Sequence, residues 1–188
     1  MSRNSWLHLD DLRESWLFLI AGGTEQSGQP EGSQNSAGEI EYWEIGVGNP
    51  EKLVETAASS LAGEHVHSQD NLLTELHNEL RAYRYQDTLL VTLDQEMMQQ
   101  LRAELIVSEI EMPSLRGFTH VDIESQLQTQ FGQSLADYGL TEEERRRPRV
   151  TDDTKQQVVS NGTAERVWEI WTRLYRLVPS TELEGTPL

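Results

Sequence analysis

The sequence predicts an α/β domain with a mixed sheet, in which antiparallel opening strands are followed by a parallel continuation and helices cover both faces. Two strand-like segments lie near the start of the chain, which favours an antiparallel pair. From residue 88 onward strand-like and helical segments alternate, which is typical of parallel strands joined by right-handed crossovers. The length of 188 residues suits one hydrophobic core, so we expect a single domain over residues 1–188.

The opening strands are predicted over residues 16–20, an apolar run, and 39–47, where the side chains alternate along the segment. Between them, residues 22–38 are mostly Gly, Ser, Gln, Asn and Pro with little to bury, so we predict a mobile loop there. Residues 6–12 are predicted to form a helical turn. Residues 50–63, which start at a proline and end at a glycine, show apolar residues at helical spacing and predict a further helix.

The middle of the chain carries the clearest patterns. An amphipathic helix is predicted after Ser68 or Asp70, with Leu72, Leu73, Leu76, Leu80 and Tyr83 on one stripe. Residues 88–92 are nearly all apolar or β-branched, which predicts a central strand buried on both faces. Asp94 is expected to cap the next helix, and a strand over 118–121 passes directly into another helix.

The last third of the chain is predicted to contain a polar connector and a docking helix. Residues 141–162 form the connector, which includes a run of glutamates followed by a run of arginines. Residues 163–178 carry a strongly apolar stripe and predict a C-terminal helix. Trp168 and Trp171 lie on this stripe, and anchoring the helix in the core is favoured over stacking on nucleic-acid bases.

The composition is strongly acidic, with 32 Asp and Glu against 15 Lys and Arg, a formal net charge of −17 and only two lysines, Lys52 and Lys155. Such self-repulsion destabilises a compact fold in dilute buffer, whereas about 1 M salt shortens the Debye length to about 3 Å. Scarce lysine, scarce aromatic residues and surplus carboxylates resemble the proteins of salt-in haloarchaea. We therefore predict a halophilic protein, with an ordinary acidic mesophilic protein as the alternative.

Several classes of protein are disfavoured by what the sequence lacks. The chain has no cysteine, which excludes disulfides, thiolate nucleophiles and Cys-ligated zinc, and is compatible with a reducing cytoplasm. The longest apolar run, residues 16–21, is too short to span a bilayer, so we expect a cytoplasmic protein with no membrane partner. The negative charge argues against a simple electrostatic grip on nucleic acid, although molar salt weakens this argument. An unknown protein and nucleic acid both remain candidate partners.

Three short segments of the sequence resemble those of a known family. Residues 89–92 with Asp94 resemble the segment that delivers an Asn and then an Asp in DnaQ-type 3′–5′ exonucleases. Residues 118–124 resemble a later strand of this superfamily that ends in an Asp before a helix. Residues 133–135 resemble the short segment that follows in these enzymes. The order of strands and helices over about residues 15–178 is also similar to the RNase H-like fold of these enzymes. The resemblance implies that fold for this chain.

The resemblance also implies where metal ligands would lie. Enzymes of this superfamily use two metal ions held by carboxylates. Their Asp-x-Glu motif falls on Leu19 and Ala21, neither of which can bind a metal, and a later Asp falls on Gln99. Asp94 falls where Asn is usual, and Glu169 is the candidate for the last carboxylate.

These departures imply a degenerate scaffold without its metals or any other cofactor, acting as an accessory or interaction protein near nucleic-acid metabolism. The alternative is an active metal-dependent nuclease that uses Asp94, Asp122, Glu124 and Glu169 with Mg²⁺ or Mn²⁺.

Two further groups of residues have competing interpretations. Asp122 and Glu124 lie at the carboxyl end of a predicted parallel strand, where open α/β sheets place ligands, but they also suit the cap and first turn of the next helix. Residues 65–67 are predicted to form a short strand with His65 and His67 on one face, and His77 lies on the adjoining predicted helix. Imidazoles so spaced could bind a transition metal, whereas pairing with nearby carboxylates is the simpler interpretation.

Overall fold

The structure is a computed structural model of the chain, and it describes residues 7–8, 15–23, 40–61, 68–83, 88–107, 115, 117–140, 163–178 and 184–188. Within these residues seven strands form one sheet in the order β1-β7-β6-β5-β2-β3-β4. The strands are β1 Leu7–His8, β2 Trp16–Gly22, β3 Tyr42–Gly48, β4 Leu53–Ser60, β5 Leu89–Thr92, β6 Thr119–Asp122 and β7 Glu184–Pro187. The helices are α1 Gln69–Tyr83, α2 Gln95–Val107, α3 Ile123–Phe131 and α4 Thr163–Leu177, with a short 3₁₀ helix at Leu135–Tyr138.

The sheet is mixed, as the sequence predicts. Strand β3 pairs antiparallel with both β2 and β4, whereas β2 with β5 and β5 with β6 are parallel pairs. Strand β7 lies antiparallel to both β6 and β1. Strand β5 is the fourth of the seven strands and is buried along its whole length, which confirms the prediction of a central strand.

Each face of the sheet carries its own hydrophobic cluster. On the face covered by α4, Trp16, Phe18 and Ile20 of β2 pack with Val167 and Trp171. Residues of α3 and the 3₁₀ helix join this cluster. On the opposite face, the intervening β2 residues pack with α1 and α2. We call these the α4 face and the α1–α2 face. Their alternation along β2 follows from the two-residue period of a strand, and the prediction of helices on both faces is confirmed.

The helix predicted over residues 50–63 is wrong, because the chain forms strand β4 there. Asn49 makes the turn: its side-chain oxygen accepts hydrogen bonds from the backbone N–H groups of Glu51 and Lys52 at 2.8 and 3.0 Å, and its own N–H donates to Lys52 O at 3.0 Å. This turn folds β4 back along β3. The apolar residues that suggested a helix divide between the two faces of the sheet, because pairing with β3 overrides local helix propensity.

Other expectations near the chain ends are also revised. The helical turn expected over residues 6–12 is contradicted at Leu7–His8, which pairs with β7 as a strand. Gly22, expected to begin a loop, is the last residue of β2. Helix α4 lies where a C-terminal helix was predicted. The rest of the predicted loop to residue 38, apart from Gly23, and the connector 141–162 lie outside the described residues. No helix in the described part of the chain is long and apolar enough to cross a membrane.

Candidate functional site

The carboxyl ends of β2, β5 and β6 meet at one edge of the sheet, which we call the carboxyl-end edge. Thr92 at the end of β5 lies beside Leu19 of β2 on one side and Asp122 of β6 on the other. Open α/β sheets place ligands beyond this end of their parallel strands. Functional side chains are therefore expected at this edge.

Asp94 and Asp122 both lie at this edge, and both cap helices. An oxygen of Asp94 accepts a hydrogen bond from the backbone N–H of Met97 in the first turn of α2 at 2.8 Å. Asp122 has an extended backbone and accepts from Ser125 N at 2.8 Å, which makes it the N-cap of α3. Its other oxygen accepts from Gln95 Nε2 at 3.2 Å, so one amide links the starts of the two helices. The capping interpretation of both residues is confirmed.

Glu124 and Glu169, the other two predicted carboxylates, lie on different helices and have different surroundings. Glu124 lies in the first turn of α3 and accepts a hydrogen bond from the backbone N–H of Leu135, where the 3₁₀ helix begins, at 2.8 Å. Glu169 is exposed on α4. Strand alternation places Asp122 on the α1–α2 face, because Val121 belongs to the cluster on the α4 face. Asp122 and Glu169 therefore lie on opposite sides of the sheet.

The positions matched to the exonuclease Asp-x-Glu motif are filled by core side chains. Leu19 and Ala21 are 1% and 4% exposed and pack on the α1–α2 face with Met97 and Met98. The backbone N–H of Ala21 donates to the sulfur of Met97 at 3.3 Å. Gln99, the other matched position, is exposed on α2. Apolar packing thus occupies the place where the resemblance put two carboxylates.

The described residues contain no group of three or more His, Asp or Glu side chains that could hold a metal ion. Of the three histidines proposed as ligands, His77 is half-buried on α1. His65 and His67 lie outside the described residues, so the histidine site stays a prediction. Among the described residues, the predicted carboxylates that lie at the carboxyl-end edge are Asp94, Asp122 and Glu124, and each of them already accepts a backbone N–H.

His120 is a polar core residue whose role sequence reasoning missed. Its side chain is buried, and its Nε2 lies 2.6 Å from Thr92 Oγ1 across the parallel pair of β5 and β6. Burial lowers the pKa of His120 to about 4, Asp122 opposes this shift, and Arg102 adds to it. The imidazole is therefore neutral near pH 7 and forms part of the core between two strands.

Glu44 is a fully buried carboxyl group on the α4 face, opposite Ile20 in the pairing of β2 with β3. One oxygen accepts a hydrogen bond from the hydroxyl of Tyr42, and the other accepts from the backbone N–H of Ala164 at 3.1 Å. Burial, followed by the nearby carboxyl of Glu44, raises the pKa of Tyr42, so this hydroxyl stays protonated and can donate. The sequence contained a signal for this site. Glu44 follows Ile40 and Tyr42 at alternate positions, on the side of the predicted strand that otherwise carries apolar residues.

The two tryptophans of α4 hold the helix to the sheet. Trp171 is completely buried and meets Trp16 edge to face, with ring centroids 5.9 Å apart. Trp168 is half-buried, and its Nε1 donates to the backbone oxygen of Asn49 at 2.9 Å. The prediction that these residues anchor the C-terminal helix in the core is confirmed.

Comparison with known proteins identifies the architecture. The sequence matches no protein-family model and no curated protein. Three similar solved structures cover nearly the whole chain. The nuclease domain of 3′hExo, a DEDDh family member bound to rAMP, has 10% identity and a TM-score of 0.62, over 95% of this chain and 99% of that one.

The other two are a 3′-exonuclease in a structure of 3′-end specific recognition of histone mRNA stem-loop, with 12% identity and a TM-score of 0.58, and a full-length 3′-exonuclease, with 11% and 0.55. Both cover 93% of this chain and 95% of their own. At these identities the likeness concerns the fold. The chain has the RNase H-like fold found in DEDDh 3′-exonucleases.

Proposed function

We propose that this chain is a non-catalytic protein with an exonuclease-like scaffold, which acts as an accessory or interaction protein near nucleic-acid metabolism. The observation that carries the proposal is that the carboxylates at the carboxyl-end edge serve as helix caps. Asp94 and Asp122 cap α2 and α3, while Leu19 and Ala21 belong to the hydrophobic core. The two aspartates therefore stabilise helix starts, and the two apolar residues stabilise the core.

Two-metal hydrolysis of a phosphodiester makes demands that this donor set does not fit. The two ions lie about 4 Å apart and are bridged by carboxylates that converge from several elements. Hard divalent cations require oxygen ligands. Strand β2 supplies none at Leu19 or Ala21, and Glu169 lies on the other side of the sheet from Asp122. We therefore assign no catalytic step to these residues.

A nuclease assay tests the proposal. Labelled single-stranded DNA and RNA are incubated with the full chain and Mg²⁺ or Mn²⁺ in about 2 M KCl, beside a blank purified from cells that lack the protein. We expect no cleavage above the blank. The matched variant is Asp122→Asn, because Asn caps a helix as well as Asp does but removes the charge that a metal needs. Cleavage by the wild-type chain that Asp122→Asn abolishes would establish the alternative, an active metal-dependent nuclease.

The same oligonucleotides also test whether the partner of this chain is a protein or RNA. One of the similar structures concerns recognition of an RNA 3′ end, which makes RNA the alternative partner to test. A chain with net charge −17 gains little from phosphate neutralisation, so we propose a protein partner within nucleic-acid metabolism. Fluorescence anisotropy should show no saturable binding of 3′-hydroxyl RNA at micromolar protein. Saturable binding that depends on the free 3′ end would replace the protein partner with RNA.

A further inference from the structure

Strand β4 forms one edge of the sheet, and among the described residues it pairs only with β3. The backbone N–H of Leu61 donates to Glu41 O at 2.8 Å, in line with the register that pairs Tyr42 with Ser60. Opposed residues of an antiparallel ladder alternate between pairs that exchange hydrogen bonds and pairs that do not. Glu55, Ala57 and Ser59 therefore bond to β3, whereas Thr56 and Ala58 direct their N–H and C=O groups outward.

The outward edge of β4 has few of the features that prevent strand pairing. A bulge lies at Val54, where the register steps from Val47–Glu55 to Gly48–Leu53, and beyond it the stretch from Glu55 to Ser59 is regular. This stretch contains no proline and one charged residue. Natural sheets usually protect such edges with prolines, charges or bulges along the strand. At the opposite edge β1 has only two residues, so β4 is the longer template.

We propose that a second copy of this chain docks on this edge, with the two β4 strands antiparallel and a two-fold axis at Ala57. Thr56 then lies opposite the partner's Ala58, and the reciprocal pair completes about four backbone hydrogen bonds. Glu55 lies opposite Ser59 of the second copy, so the two Glu55 side chains do not face each other directly. The carboxylate of Glu75, which accepts from the Ser59 hydroxyl at 2.8 Å, lies beside this pair and is a like charge that salt must screen. Ala57 occupies the non-hydrogen-bonded pair on the axis, where Cα atoms approach to about 4.5 Å and a small side chain fits.

The charge of the chain sets the conditions under which this dimer forms. Each copy carries a net charge of −17, so association in dilute buffer is opposed by repulsion between the two molecules. The Debye length falls from about 10 Å at 0.1 M salt to about 3 Å at 1 M, which screens most of this repulsion. We expect dimerisation to strengthen as KCl rises from 0.1 to 2 M.

The first test is sedimentation velocity of the full chain in 2 M KCl over a range of protein concentrations. The test variant is Thr56→Pro, because the Thr56 side chain is exposed and its N–H points away from β3, where proline is tolerated on an edge strand. Thr56→Ser is the control, since it keeps the N–H. We expect Thr56→Pro to weaken dimerisation by about tenfold or more, with Thr56→Ser unchanged. A chain that remains monomeric at every salt and protein concentration overturns the proposal.

Cross-linking provides a second test that does not depend on how well the proline variant folds. Because the chain has no cysteine, Ala57→Cys introduces a single thiol on the proposed axis. A Cα separation of about 4.5 Å lies within the range that a disulfide can bridge. With a mild oxidant in 2 M KCl, we expect it to form disulfide-linked dimers at least ten times faster than the control Asn78→Cys, which lies exposed on α1. Equal rates for the two variants also overturn the proposal.

Discussion

The buried carboxyl of Glu44 should be among the most sensitive positions for stability in this chain. It accepts hydrogen bonds from the Tyr42 hydroxyl and from the backbone N–H of Ala164, and neither donor has access to bulk water in the fold. A buried donor left without its acceptor costs about 1–3 kcal/mol. Glu44→Ala leaves two such donors, so the expected loss of unfolding free energy is about 2–6 kcal/mol.

Thermal and denaturant unfolding in 2 M KCl measure this loss. For a chain of 150–250 residues, 1 kcal/mol shifts Tm by about 2–4 °C, so Glu44→Ala should melt roughly 4–24 °C below wild type. The matched control is Glu169→Ala on α4, whose exposed side chain should change stability by less than about 0.5 kcal/mol.

A double-mutant cycle with Tyr42→Phe should give a coupling energy of about 1–3 kcal/mol, because the two side chains are in direct contact. If Glu44→Ala melts at the same temperature as the control, the carboxyl does not hold α4 to the sheet through Ala164. If the coupling energy is near zero, the hydrogen bond between Tyr42 and Glu44 does not contribute to stability.

Three further predictions concern the carboxyl-end edge, pH and salt. Asp122→Ala should lose about 1 kcal/mol of unfolding free energy and Asp122→Asn only a few tenths, since Asn is an equivalent N-cap; equal losses would contradict the capping role. Because burial lowers the pKa of His120 to about 4 in the fold, against about 6.5 unfolded, the unfolded chain binds the extra proton first. Stability should therefore fall by up to about 3 kcal/mol from pH 6.5 to 4, and the difference in unfolding free energy between wild type and His120→Asn should shrink over that window; a constant difference would refute it. Finally, Tm should rise steadily between 0.1 and 2 M KCl as the net charge of −17 is screened, whereas a flat profile would favour an ordinary acidic mesophilic protein.

The sequence predicts much of the fold because the spacing of apolar residues along a segment reflects which side chains are buried. The apolar segment 88–92 indicated a strand covered on both faces, and β5 is indeed central and buried. The stripe from Leu72 to Leu80 indicated an amphipathic helix, and these residues lie buried on α1. Where local pattern and long-range pairing compete, periodicity fails. Residues 53–60 have helical spacing but form β4, because the turn at Asn49 returns the chain to β3.

The candidate site was predictable in part for the same reason. A carboxylate directly before a helical pattern is a signal for an N-cap, and Asp94 and Asp122 both fulfil it. The contacts of Glu44 with Ala164 and of His120 with Thr92 were not predictable, because each joins two different elements of the fold. Ala164 is 120 residues from Glu44 along the chain, and Thr92 is 28 residues from His120. No local pattern encodes such pairs.

What the sequence determines by itself is composition, periodicity and the residues missing from a motif: the net charge of −17, the alternation of strand and helix, and the apolar Leu19 and Ala21. These properties belong to single residues or short segments. Only the tertiary structure decides that the edge carboxylates serve as helix caps and that Glu169 lies across the sheet from Asp122. The same holds for β4 as an edge strand, because its neighbours depend on pairing between segments distant in the chain.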